Sequence, residues 1–96
     1  MKTIAEIRCA LADHYEQLHA LHVANLWLFG SAARGESTAK DLDFLVEYQE
    51  ATSLVEFVEL KLLLEEVFQM EIDLISRGGC RERFLDVIQD DLQHVA

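Results

Sequence analysis

Apolar positions change their period several times along the chain, and the changes outline the elements. Ile4, Ile7, Leu11, Tyr15 and Leu18 recur at three- and four-residue steps, one face of an amphipathic helix. Thr3-Ile4-Ala5-Glu6 ahead of them is a capping-box pattern: the Thr3 hydroxyl caps the first turn and Glu6 reaches back. This helix is expected to fade around Ala20 to His22. Val23 to Phe29 is a short apolar run that ends at Gly30, which predicts a buried strand. Ser31 to Gly35 reads as a tight turn opening a helical turn with Ser31 near its N-cap, and Glu36 to Lys40 as a loop.

Asp41 to Tyr48 alternates with period two. Asp41, Asp43, Leu45 and Glu47 share one side, and Leu42, Phe44, Val46 and Tyr48 the other. A long helix starts at Thr52 or Ser53, with Leu54, Val55, Val58, Leu62, Val67 and Phe68 as its expected buried face. Met70 to Ser76 predicts a third strand, with Glu71, Asp73 and Ile75 on one face and Ile72 and Leu74 on the other. Gly78-Gly79 breaks the chain. Arg81 to about Gln93 predicts a closing helix with Phe84, Leu85, Ile88 and Leu92 inward. The pattern shows no repeat, linker or low-complexity tract. It predicts one α/β domain over residues 1–96, built on a small sheet; the relative direction of the first two strands is left open.

Composition narrows the function classes. A chain of 96 residues, half of them hydrophobic, can build one small core. Its 18 Asp and Glu against 8 Lys and Arg give a formal charge of −10. A phosphate backbone calls for a basic patch, and the only cationic grouping is Arg77, Arg81 and Arg83, so direct nucleic-acid binding is not expected. The acidic balance suits divalent cations or a basic protein partner, or solubility alone. Cys9 and Cys80 lie far apart without CxxC spacing and read as free thiols. No signal peptide and no run of about 20 apolar residues is apparent, so a cytoplasmic protein without membrane association is expected. His14, His19, His22 and His94 lack ligand spacing, and Trp27 reads as core.

Chemistry concentrates between Phe29 and Val46. A strand ending at Gly30 before a helical turn offers backbone N–H groups to an anion, and glycine lets a phosphate approach closely. The Ser31 hydroxyl adds a donor, Ala32 and Ala33 leave room, and Arg34 can reach a phosphate or a carboxylate. A plain strand-to-helix connection would look the same. Asp41 and Asp43, two apart on a strand, face one way at roughly 6–7 Å, tolerable if solvated or bridged by a divalent cation. Asp73, between Ile72 and Leu74, reads as a charge that needs a metal or an ion pair with Arg34 or Lys40. If the third strand lies beside the second, three carboxylates and a phosphate-binding turn make a two-metal site for in-line attack on a phosphoryl group.

Gly30-Ser31-Ala32-Ala33-Arg34-Gly35 followed by Asp41-Leu42-Asp43 resembles the signature of the DNA polymerase β-like nucleotidyltransferases. Within them the chain is similar to the minimal nucleotidyltransferases, the MntA-like antitoxins encoded beside HEPN-domain toxins, and the similarity runs over nearly the whole chain. It implies a nucleotidyltransferase-type core, a mixed sheet of three to four strands flanked by helices. It implies that Asp41, Asp43 and Asp73 are catalytic and bind two Mg2+ ions. It also implies that Gly30 and Ser31, with Arg34 beside them, contact the triphosphate of ATP. The implied activity is transfer of AMP to a tyrosine of a HEPN-type toxin in a hetero-oligomer. Lys40 stands where the family often has serine. Two other readings stay open: a binding module that neutralises its partner by contact, and a small-molecule nucleotidyltransferase of the aminoglycoside-modifying kind. The latter usually carry an acceptor domain, for which 96 residues leave no room. Without such a domain the centre should be open on one side, completed by a partner docked on an apolar patch of the first or last helix.

Overall fold

The computed structural model describes residues 3–35, 41–79 and 82–96. The expected loop at 36–40 with Lys40, together with Cys80 and Arg81, lies outside them. Helix α1 (Ile4–Ala12) starts as anticipated: the Thr3 hydroxyl accepts from the Glu6 N–H at 3.1 Å, and Glu6 reaches back to the Thr3 N–H. The first helix does not run through to residue 20. The His14 imidazole bonds the Ala10 carbonyl at 2.8 Å, while the His14 N–H turns to Leu11 instead. The carbonyl that would continue the ladder is thus taken by a side chain. A separate α2 (Tyr15–Ala20) follows, in which Leu18 is buried and Tyr15 is exposed, not core.

Strand β1 (Val23–Phe29) and strand β2 (Asp41–Tyr48) pair antiparallel, in register Trp27 to Leu45 and Phe29 to Asp43. Between them α3 (Gly30–Ala33) is a single helical turn capped by Phe29, so Ser31 lies inside the turn and does not cap it. Helix α4 (Leu54–Phe68) starts on the Ser53 hydroxyl and ends at Gln69, in a left-handed conformation held by its side chain on the Glu66 carbonyl. Strand β3 (Glu71–Ser76) runs parallel to β2, because α4 carries the chain back across the sheet.

The closing helix is shorter than its pattern. Helix α5 spans Glu82–Ile88; a 3-10 turn (Gln89–Asp91) and a short strand β4 (Gln93–His94) follow. β4 pairs antiparallel with β1, and the Leu26 N–H donates to Ala96 at 2.7 Å. Phe84 is correspondingly more exposed than expected, resting edge-on against Phe29. The result is a four-stranded mixed sheet in the order β3-β2-β1-β4, flanked by helices. On one face Leu26, Leu28, Phe44 and Val46 meet Ile7, Leu11, Leu60, Leu64 and Phe68 in the main core. On the other, Phe29 and Leu45 meet Ile88 in a smaller cluster edged by Trp27, Ile75, Leu85 and Leu92. Among the described residues no helix is long and apolar enough to cross a membrane, and Cys9 is an exposed free thiol.

Helix α4 presents a different side to the sheet from the one its pattern suggested. Leu60, Leu64 and Phe68 are buried, whereas Leu54, Val55, Val58 and Leu62 are 77%, 64%, 44% and 58% exposed. Ten of the fifteen residues are apolar, so hydrophobicity alone selects no face. Contact with Phe44 decides it: the Phe68 ring stacks on that of Phe44 at 5.8 Å. Leu60→Ala should therefore lower the unfolding free energy by about 2–5 kcal/mol and Leu54→Ala by less than about 0.5 kcal/mol. Urea denaturation of the two variants checks this; equal losses would contradict the orientation of α4.

Candidate active site

Three strand ends meet at one end of the sheet. Because β1 and β2 are antiparallel, the last residue of β1 lies beside the first turn of β2, with Phe29 opposite Asp43. Because β3 is parallel to β2, its start comes to that same end, with Asp43 opposite Asp73 and Asp41 opposite Glu71. Strand alternation turns Asp41, Asp43 and Asp73 to the face that carries Leu45. One carboxylate oxygen from each of the three lies within 4.8 Å of the others. Asp41 and Asp43 are half-buried. Asp73 is exposed on an edge strand, so the expectation of a charge enclosed by apolar neighbours is corrected: Ile72 and Leu74 point to the opposite face. Glu71 adds a fourth acid beside Asp41; the sequence placed it on this face without assigning it a part.

Burial and the neighbouring carboxylates together leave an electrostatic trace. The Asp43 carboxyl is pushed up to about 6, first by burial, then by its hydrogen bond with Asp73 and by the charges of Asp41 and Asp73. Arg34 opposes the rise. A carboxyl at that value accepts a proton, or a cation in its place, close to neutrality.

Gly30 closes the site from the β1 side. Its φ of +77 is the left-handed region. A Cβ there would run into the Asp43 carboxylate oxygen, so the turn can lie against the aspartates only as glycine. Ser31 and the small Ala32 and Ala33 continue the turn over the strand ends. Arg34 follows, and its Nη1 donates to Asp91 Oδ2 at 2.7 Å. Among the described residues, the carboxylate paired with Arg34 is thus Asp91, in the C-terminal turn, and not Asp73. The sequence reading missed Asp91: it was read as part of a continuing helix, and only the chain's return to pair with β1 brings it here. Trp27 lies at the far end of the same face, with the Arg77 guanidinium 5.4 Å from its ring centre, and is core-lining as expected.

Two outcomes test this geometry. Asp43 titrates higher in the folded chain than its ordinary 3.8, so between about pH 4 and 6 the native state binds the extra proton. The stability this provides is present at low pH and lost as pH rises through 6. In metal-free buffer Asp43→Asn should therefore melt above the wild type at pH 7.5, with the gap closing toward pH 5. A gap constant with pH would refute the assignment. Gly30→Ala should cost about 1–3 kcal/mol from backbone strain at its positive φ, plus the clash of its Cβ with the Asp43 carboxylate; pairing it with Asp43→Gly should relieve the clash and leave the strain, and calorimetry of both single variants and the double variant separates the two.

Comparison with known proteins follows the same outline. A family model for the nucleotidyltransferase domain matches residues 4–94. A Methanocaldococcus jannaschii protein assigned as a protein adenylyltransferase is 33% identical, covering 99% of this chain and 100% of its own length. The protein adenylyltransferase MntA of Thermococcus cleftensis is 30% identical, over 99% of this chain and 98% of its own. A solved structure assigned as a minimal nucleotidyltransferase superposes with a TM-score of 0.78 at 26% identity, covering 96% of this chain and 95% of that one. A chain from a Shewanella oneidensis complex of tri-AMPylated HEPN toxin with MNT antitoxin shares the fold, with a TM-score of 0.69 at 14% identity over 94% of this chain and 71% of its own. With a small mixed sheet, a glycine turn packed on clustered strand-end aspartates, and relatives matched end to end, this chain belongs to the nucleotidyltransferase domain family, as an enzyme of its minimal, MntA-like class.

Proposed function

We propose that this nucleotidyltransferase transfers AMP from ATP to a tyrosine hydroxyl of a HEPN-type toxin, with Mg2+ at the three aspartates, and thereby acts as the antitoxin of the pair. The observation that carries the reading is the approach of Asp41, Asp43 and Asp73 within 4.8 Å beside the Gly30 turn. The donor set fits magnesium: three hard carboxylate oxygens lie within 4.8 Å of one another, and burial together with the neighbouring carboxylates raises the Asp43 carboxyl to about 6. Two bound ions would supply the charge that screens the triphosphate and eases ionisation of the acceptor hydroxyl.

The chain's own residues set the rest. The turn at Gly30 and Ser31 holds the phosphate tail close to backbone N–H groups, and Arg34 stands beside it. Asp41 and Asp43, half-buried, are placed to stay with the nucleotide. Asp73, on the exposed edge strand, is open to an arriving acceptor. The acceptor oxygen forms a bond to the α-phosphorus, the bond from that phosphorus to the bridging oxygen breaks, and pyrophosphate leaves with the electron pair. The hydroxyl proton passes to a carboxylate or to water. Asp73 is exposed on the edge strand, which suits an acceptor carried on another protein. The names of the relatives support protein adenylylation, and the fold neighbours include toxin-antitoxin complexes, one of them with AMP-PNP.

The test combines purified chain, the HEPN-type protein encoded next to it, Mg2+ and α-labelled ATP. Label should move to a tyrosine of the partner. Asp41→Asn with Asp43→Asn should reduce the transfer by more than about 100-fold, and chelation by EDTA should abolish it. An unlabelled partner with wild-type enzyme rules the reading out. Neutralisation that persists in the double variant would assign the antitoxin effect to contact.

A further inference from the structure

Helix α4 carries a second apolar face that the fold leaves bare. Leu54, Val55, Val58 and Leu62 are spaced one, three and four residues apart, so they form one stripe, 44–77% exposed at every position. The stripe points away from the sheet, opposite Leu60, Leu64 and Phe68. A helix apolar on both sides is a helix that is covered on both sides in its working state. The stripe also lies on the opposite layer from the aspartates: α4 packs on the face of Phe44 and Val46, and the carboxylates share the face of Leu45.

The charges around the stripe choose the occupant. Glu59 and Glu66 border one flank, Glu65 follows Leu62 along the stripe itself, and Lys61 alone borders the other flank. A second copy of this chain fits badly. An antiparallel two-fold pairing sets the Glu59–Glu66 flank against itself, and a parallel one sets Glu65 against Glu65, between chains that each carry −10. An apolar helix face bordered by Lys and Arg meets the same surface with opposite charge on the acidic flank and at its C-terminal end.

We propose that the outward stripe of α4 is a docking surface for the partner protein, engaging an apolar helix flanked by basic residues, separate from the place where the acceptor tyrosine enters. This rests on the reading that the chain works with a HEPN-type partner. One contact then anchors the complex through the α4 layer while the catalytic layer stays free to turn over. Because the stripe is already exposed in the free chain, changing it should leave the fold intact, which makes the test clean.

The affinity of the purified chain for the neighbouring HEPN-type protein is measured by calorimetry, without ATP. Val58→Glu and Leu62→Glu should each weaken binding at least tenfold, and Glu59→Lys with Glu66→Lys should weaken it further at low salt than at high salt. Melting temperatures should stay near the wild type, and Asp41→Asn should leave the affinity unchanged. Undiminished binding by the stripe variants overturns the docking surface while leaving the adenylylation reading in place. No complex with the wild-type chain overturns both. A wild-type dimer in light scattering that Leu62→Glu dissolves overturns the assignment of the occupant in favour of a second copy.

Discussion

The pairing of β2 with both its neighbours sets everything else at the site. Antiparallel pairing with β1 returns the chain to the end where β1 stopped, and parallel pairing with β3 starts a third strand at that same end. Three carboxylates converge there although they repel. Burial of Leu28, Phe44, Val46 and Ile72 on the opposite face holds the register, since a slip of one residue would turn each of those side chains out and the aspartates in. The unfavourable charge cluster is thus sustained by apolar packing on the other side of the same strands, and its cost appears as the raised Asp43 carboxyl.

The C-terminal segment does for the Gly30 turn what β2 does for the aspartates. β4 and Ala96 bond to β1, and the turn before them carries Asp91 to Arg34. The signature turn and the end of the chain therefore form one unit, 57 residues apart in sequence. The sheet also separates two surfaces. Its α5 face holds the carboxylates, with Asp73 open at the edge; its α4 face holds the main core and, beyond it, the bare apolar stripe. Among the described residues the carboxylates and the bare stripe thus lie on opposite layers of the sheet.

Much was legible in the sequence because it depends on neighbours in the chain. Period-two alternation placed Asp41 and Asp43 on one face, and the Thr3 to Glu6 capping box set the start of α1. Gly30 at a strand end marked a turn that only a residue without Cβ could make, and the spacing of Gly30, Ser31, Arg34, Asp41 and Asp43 carried the family resemblance. Asp73 was chosen for its apolar neighbours, yet it is exposed. What brings it beside Asp43 is the parallel register of β3 on β2, the neighbouring placement on which its grouping with the other two depended.

Tertiary structure alone decided the rest, because those outcomes depend on contacts between distant residues. α4 is apolar on both sides, so only the shape of the Phe44 face selects Leu60, Leu64 and Phe68 as core and leaves Leu54, Val55, Val58 and Leu62 bare. The break at His14 turns on a ring bonding Ala10, a choice that helical periodicity does not record. Edge-strand hydrogen bonding, not helix propensity, stops α5 early and makes β4. Local pattern determined which side chains could carry the chemistry. Long-range pairing determined that they meet, and which apolar surface was left bare.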